Sequence, residues 1–251
     1  MKIRLSCLPI TLILLLYLSG CAPRMPVSEA PQIRKSIAPK PPAAQIEKYD
    51  ELPYSFNSKI NKSNALIILD PGHGGEDSGT KCHGLPRYVE KNLNLTTAQF
   101  VKSFLEQAGY QVLMTRNQDT FIPLQARADF ANSSNGTIFI SIHYNSAPSS
   151  DADGIEVFFY KSKEGGERMR QSELLAKSVL SKVLKASKAK SRGVKHGNLC
   201  VIRETKMPAI LIEGGFMTSS KEMDKLKNAS YLKNLSLGIA EGIQDYLTKQ
   251  L

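Results

Sequence analysis

From residue 65 onward, short apolar runs alternate with stretches of helical period, and no other feature constrains the fold as much. Ala65–Leu69 is a continuous apolar run ending in Asp70-Pro71-Gly72, the pattern of a buried strand. Glu90–Gln107 sets Leu93, Thr97, Phe100, Val101, Phe104 and Leu105 at helical spacing, and Gly109 stops it. Further strands are expected at Tyr110–Met114, Thr137–Ile142, Gly154–Tyr160, Leu199–Ile202 and Ala209–Ile212. Helices are expected at Leu124–Ala131, Gln171–Leu184 and Tyr231–Leu247. Strands alternating with helices predict an α/β fold. The expectation is a single three-layer αβα sandwich domain over 65–251, with a largely parallel central sheet of about six strands.

The N-terminus reads as an address. Lys2 and Arg4 precede Ile10–Leu18, an apolar run too short to span a bilayer and suited to a secretory signal. Leu18-Ser19-Gly20-Cys21 looks like the lipobox of bacterial lipoproteins, which implies cleavage after residue 20 and lipidation of Cys21. Residues 22–53 carry seven of the 13 prolines, so 21–64 is expected to be a lipidated, extended tether. A periplasmic, membrane-anchored protein follows. The outer membrane is favoured over the inner, because Ala22 and not Asp comes after the cysteine. Cys7 leaves with the signal, and Cys82 and Cys200 are expected to be independent thiols.

The formal charge of +10 suits an anionic polymer, a membrane surface or nucleic acid. The basic charge is spread thinly along the domain. Trp is absent and aromatics make up 7% of the chain, so no nucleic-acid partner is expected.

In open α/β sheets, ligands bind beyond the carboxyl ends of the strands. Three strands here end in chemistry: Asp70-Pro71-Gly72-His73-Gly74-Gly75, Ser141-Ile142-His143-Tyr144-Asn145 and Ile212-Glu213-Gly214-Gly215-Phe216. Two imidazoles and a carboxylate on one edge suit a catalytic zinc, which takes three protein ligands and leaves a position for water. A further carboxylate outside the coordination shell would accept the water's proton. Glu76, Asp77, Glu90 and Glu213 are the candidates, and spacing alone does not divide ligand from base. The glycine-rich turn after Asp70 has neither the Walker lysine nor the dinucleotide fingerprint, which argues against a phosphate cradle.

These segments resemble the zinc-dependent N-acetylmuramoyl-L-alanine amidases of the bacterial cell-separation type. The resemblance rests on Ile67–Gly75, Glu90–Leu95, Thr115-Arg116, Arg127–Asn132, Ser141–Asn145, Gly154–Val157 and Met207–Phe216, in family order across the domain. It implies that His73, Glu90 and His143 ligate Zn2+ and that Glu213 is the catalytic carboxylate. The implied reaction cleaves the amide between N-acetylmuramic acid and the L-alanine of the peptidoglycan stem, for wall remodelling and daughter-cell separation.

The chain departs from the family pattern in places. The stretch 80–89 is longer than the usual loop and brings Cys82 and His83 near the metal, with His83 an alternative ligand. Gly214-Gly215 follows Glu213 where relatives often carry a bulkier residue. Some relatives insert a helix that blocks the zinc until an activator withdraws it. Here Lys161–Arg170 is too short and too basic for that, so no obligate activator is expected. One rival is a penicillin-sensitive serine DD-carboxypeptidase activity, through Ser187–Lys190 or Ser230–Lys233 as Ser-x-x-Lys, with Ser133-Ser134-Asn135 and Lys195-His196-Gly197. Another is a catalytically inactive wall-binding lipoprotein, which the presence of all four site residues opposes.

Overall fold

The computed structural model describes residues 64–82 and 88–250. The expected signal, the expected lipidation site at Cys21, the expected tether up to residue 63 and His83 all lie outside the described residues. Twelve elements follow in order: β1 (Leu66–Pro71), α1 (Glu90–Gln107), β2 (Gln111–Met114), α2 (Leu124–Ser133), β3 (Ile138–Asn145), β4 (Ile155–Phe159), α3 (Glu167–Ser187), β5 (Ser191–His196), α4 (Cys200–Glu204), β6 (Ala209–Phe216), α5 (Ser220–Leu226) and α6 (Ala229–Gln250). The six strands form one sheet in the order β2-β1-β3-β6-β4-β5. β1, β2, β3 and β6 run parallel, while β4 pairs antiparallel with β6 and carries β5 parallel to itself.

Strand alternation divides the core into two layers. Ile67, Leu69, Ile140, Ile142, Ile210 and Ile212 face one way, against Val101 and Leu105 of α1, Leu175 and Val179 of α3, and Ile239 and Ile243 of α6. Ile68, Phe139, Ala209 and Leu211 face the other way, against Ala131 of α2 and Val201 and Ile202 of α4. This is the expected three-layer sandwich. A third apolar cluster, with Leu93, Tyr144, Met217, Met223, Leu226 and Leu232, joins the start of α1 to the ends of β3 and β6 through α5 and α6. The elements that carry Glu90 and His143 are thereby fixed to each other by packing.

Some elements differ from expectation. The apolar run Leu199–Ile202 is not a strand: Cys200–Glu204 forms a short helix that buries Val201 and Ile202 under the sheet. Four apolar residues in a row suit either state, and the covering layer decides. The sixth strand is β5, Ser-Arg-Gly-Val-Lys-His, a polar edge without an apolar stripe. α3 begins at Glu167, four residues before the expected start, so the segment between β4 and α3 is shorter than the 161–170 of the sequence reading. Cys82 and Cys200 are not joined to each other by a disulfide.

Candidate metal centre

β1 delivers its chain to the sheet edge and turns sharply at His73, which has φ of 59°. A non-glycine residue in the left-handed region needs support from its surroundings. Two buried guanidinium groups provide it. Arg127 donates to the carbonyls of Pro71 (2.8 Å) and His73 (2.7 Å) and to the carboxylate of Asp70 (2.9 Å). Arg116 donates to the carbonyls of Pro71 (2.9 Å) and Gly72 (2.7 Å). Every carbonyl of residues 71–73 is thus held by an arginine.

Glu90, the first residue of α1, is buried with its carboxylate under the turn. Its Oε1 lies 3.1 Å from His73 Nε2 and 2.8 Å from His143 Nδ1. His143 comes from the end of β3, and the two imidazoles meet edge to face with centroids 4.8 Å apart. Glycines leave room for these side chains. A Cβ on Gly72 would sit 2.1 Å from the His143 ring, and one on Gly79 would sit 2.6 Å from both Glu90 and the His73 ring. Asp77 bonds the far nitrogen of His73, Nδ1, at 2.7 Å. A carboxylate behind a ligand imidazole fixes its orientation and tautomer.

The electrostatics follow from this crowding. Burial opposes ionisation of Glu90, yet hydrogen bonds from His143 and His73 hold it well below the ordinary carboxylate range. Burial also opposes charging of His73, but the bond and charge of Glu90, then of Asp77, raise it to about 8. One ligand atom each from His73, Glu90 and His143 falls within 4.8 Å of the others. Among the described residues this is the one His/Cys/Asp/Glu group so disposed. Two imidazoles and one carboxylate with a shared focus fit the donor set of a catalytic zinc.

Glu213 sits beside this cluster on β6, in register with His143 on β3 and with Glu156 on β4. Its Oε2 is buried without a hydrogen-bond partner. Such an atom is costly to leave unsatisfied unless function uses it. Burial, then the charges of Glu90 and Glu156, push its carboxyl up to about 8.

The structure sorts the carboxylates that the sequence left open. Glu90 joins the imidazoles, Asp77 stands behind His73, Glu213 faces the cluster and Glu76 is exposed in the turn. Cys82 packs near the third apolar cluster and does not converge on the donor atoms. The sequence reading did not assign functions to Arg116, Arg127 or Glu156. Arg127 had a legible signal, since it shares the helical face of Ala128 and Ala131, where a charge needs a buried partner.

A family model described as N-acetylmuramoyl-L-alanine amidase (Amidase_3) matches residues 67–245. The uncharacterized protein YqiI of Bacillus subtilis (strain 168) is 35% identical over 180 residues, 72% of this chain and 84% of YqiI. LytC of the same strain, an N-acetylmuramoyl-L-alanine amidase, is 34% identical over 180 residues, 72% of this chain but only 35% of LytC. The crystal structure of an N-acetylmuramoyl-L-alanine amidase from Clostridium difficile 630 superposes with a TM-score of 0.70 at 38% identity, covering 75% of this chain and 100% of that one. The strand-end motifs, the His-Glu-His cluster and these matches agree: the chain belongs to the N-acetylmuramoyl-L-alanine amidase family.

Proposed function

We propose that the protein is a zinc-dependent peptidoglycan amidase that cleaves the bond between the lactyl carbonyl of N-acetylmuramic acid and the L-alanine of the stem peptide. The observation that carries this reading is the buried, unpartnered Oε2 of Glu213 beside the His73–Glu90–His143 cluster. Zinc held by those three residues would supply Lewis acidity and a bound water of lowered pKa. Glu213 accepts the proton of the attacking water and returns it to the departing alanine nitrogen. Asp77 holds the His73 ring, and the arginine-clamped turn fixes its backbone.

A role in wall remodelling and daughter-cell separation is consistent with the family. Lipidation at Cys21 and the proline-rich tether would anchor the domain in the periplasm, with the outer membrane favoured. The segment between β4 and α3 is too short to block the site, so the domain works without an obligate activator. A serine-peptidase activity gains no support. The Ser187 hydroxyl donates to the Val183 carbonyl at 2.7 Å, and Lys190 pairs with Asp153 at 2.9 Å.

The test is product analysis of purified sacculi by mass spectrometry. Released stem peptides with free L-alanine amino termini, lost on chelation and restored by zinc, are the expected outcome. Cleavage between sugars or within the stem would overturn the reading.

A further inference from the structure

On the face of the sheet that carries the site, register sets His143, Glu213 and Glu156 side by side across β3, β6 and β4. Residues paired across neighbouring strands project to the same face. Glu156 is buried, and three donors converge on it. Asn145 Nδ2 bonds Oε1 at 2.7 Å, while Arg192 Nε (2.9 Å) and Lys195 Nζ share Oε2. Two cations therefore meet one carboxylate, which leaves one positive charge in excess. Arg192 also lies over the Phe216 ring at 4.8 Å, which fixes the plane of its guanidinium. Its Nε donates to Glu156 and its Nη1 to the Asp153 carbonyl at 3.4 Å, which leaves Nη2 as the guanidinium nitrogen with no hydrogen-bond partner among the described residues. The Arg192 side chain keeps 33% of its surface exposed and that of Lys195 keeps 40%, so both remain accessible.

The direction of the substrate follows from the proposed reaction, on which this inference rests. Glu213 returns the proton to the leaving nitrogen, so the departing peptide begins at β6. The metal ligands lie on the β3 side of Glu213, and the peptide therefore continues toward β4 and β5. Strands are spaced about 4.8 Å apart, and an extended peptide advances about 3.5 Å per residue. A carboxylate on the second stem residue then lies about 7 Å from the scissile nitrogen, one to two strands along. Arg192 reaches back from β5 to the Glu156 carboxylate on β4, within that span.

We propose that Arg192 and Lys195, oriented by Glu156 and Phe216, form a subsite for a free carboxylate on the second stem residue. The substrate class is stems in which γ-linked D-glutamate keeps its α-carboxyl, in preference to stems in which that group is amidated. The open Nη2 of Arg192 and the ammonium of Lys195 are charged donors that suit a carboxylate. The amide would offer a neutral group, one of whose arms is itself a donor.

The experiment compares the full-length protein on N-acetylmuramoyl-L-alanyl-γ-D-glutamyl-L-lysine and its D-isoglutaminyl counterpart, in which the γ-carboxyl is tied up in the peptide bond and the α-group is the one difference. The wild type is expected to favour the carboxylate by about tenfold in kcat/KM, chiefly through KM. Arg192→Met and Lys195→Met should each pull that ratio toward one. A merely structural defect would lower both values and keep the ratio. NMR titration with the leaving peptides L-alanyl-γ-D-glutamyl-L-lysine and L-alanyl-D-isoglutaminyl-L-lysine reads the subsite without turnover. A protein that hydrolyses neither substrate yet binds the carboxylate peptide selectively would sink the amidase reading and keep the subsite. Equal ratios and equal binding in the wild type, or a ratio unmoved in both variants, would overturn the subsite.

Discussion

At the scale of single residues, the site depends on side chains being absent as much as on those present. Gly72 has no positive φ, so alanine is conformationally allowed there. Its Cβ would nevertheless occupy the place of the His143 ring, 2.1 Å away. Gly72→Ala should therefore fold and lose metal affinity by at least the 10–100-fold typical of disturbed outer-shell contacts. Competition with a chelator of known affinity measures this, and a wild-type constant would contradict the geometry. The ionisable groups give a second expectation, for the metal-free protein. Glu213 is raised to about 8, so the folded state retains a proton that the unfolded chain gives up near its ordinary carboxylate range. His73, also raised to about 8, contributes stability below its unfolded value of 6.5 and loses it as pH rises through 8. Glu90 is shifted the other way, and its contribution is already complete above pH 5. Both remaining terms have one sign, so metal-free stability should fall between pH 5 and pH 9. Urea denaturation after chelation checks it, and Glu213→Gln should flatten the profile. Stability that rises over this window would contradict both assignments.

At the scale of elements, α6 lies against α3 almost backbone to backbone. A Cβ on Gly242 would sit 2.4 Å from the Val179 Cα, and one on Gly238 would sit 2.7 Å from the Val183 Cα. In an exposed helix, Gly→Ala gains about 1 kcal/mol of propensity. Here overpacking should win, and Gly242→Ala should lose about 1–3 kcal/mol in urea denaturation. A stabilised variant would mean that the helices can separate at little cost. How legible an element was in the sequence depended on its burial. β1, β3 and β6 are buried on both faces and read as apolar runs broken only by Ser141, so their ends located His73, His143 and Glu213. β5 is a polar edge strand whose Arg192 and Lys195 serve a buried carboxylate, so hydrophobic pattern was silent there. α4 differs from the expected strand because helix and strand are equally open to four apolar residues. The proposed ligand set was only half legible from spacing. Glu90 opens a helix and is not a strand end, so the strand-end rule left it among four carboxylates, and the family resemblance singled it out. The arginine clamp stayed hidden because its partners are backbone carbonyls, which carry no sequence signature.

At the scale of the whole molecule, the amidase-family domain follows a long proline-rich segment and a sequence that resembles a lipobox. No helix among the described residues is long and apolar enough to cross a membrane, and the attachment we propose is a lipid on Cys21. Cys21→Ser should move the protein from the membrane pellet to the soluble fraction and abolish labelled-palmitate incorporation, and unchanged labelling would contradict the lipobox reading. The central claim is that His73, Glu90 and His143 hold the metal while Glu213 moves the proton, and one paired measurement separates these roles. Zinc content and wall hydrolysis are determined together for the wild type, His143→Ala and Glu213→Gln. The account predicts one zinc per chain in the wild type and in Glu213→Gln, with turnover of the latter reduced by about 10²–10⁴-fold, and little zinc in His143→Ala. A full zinc complement in His143→Ala, or near-normal turnover in Glu213→Gln, would contradict it.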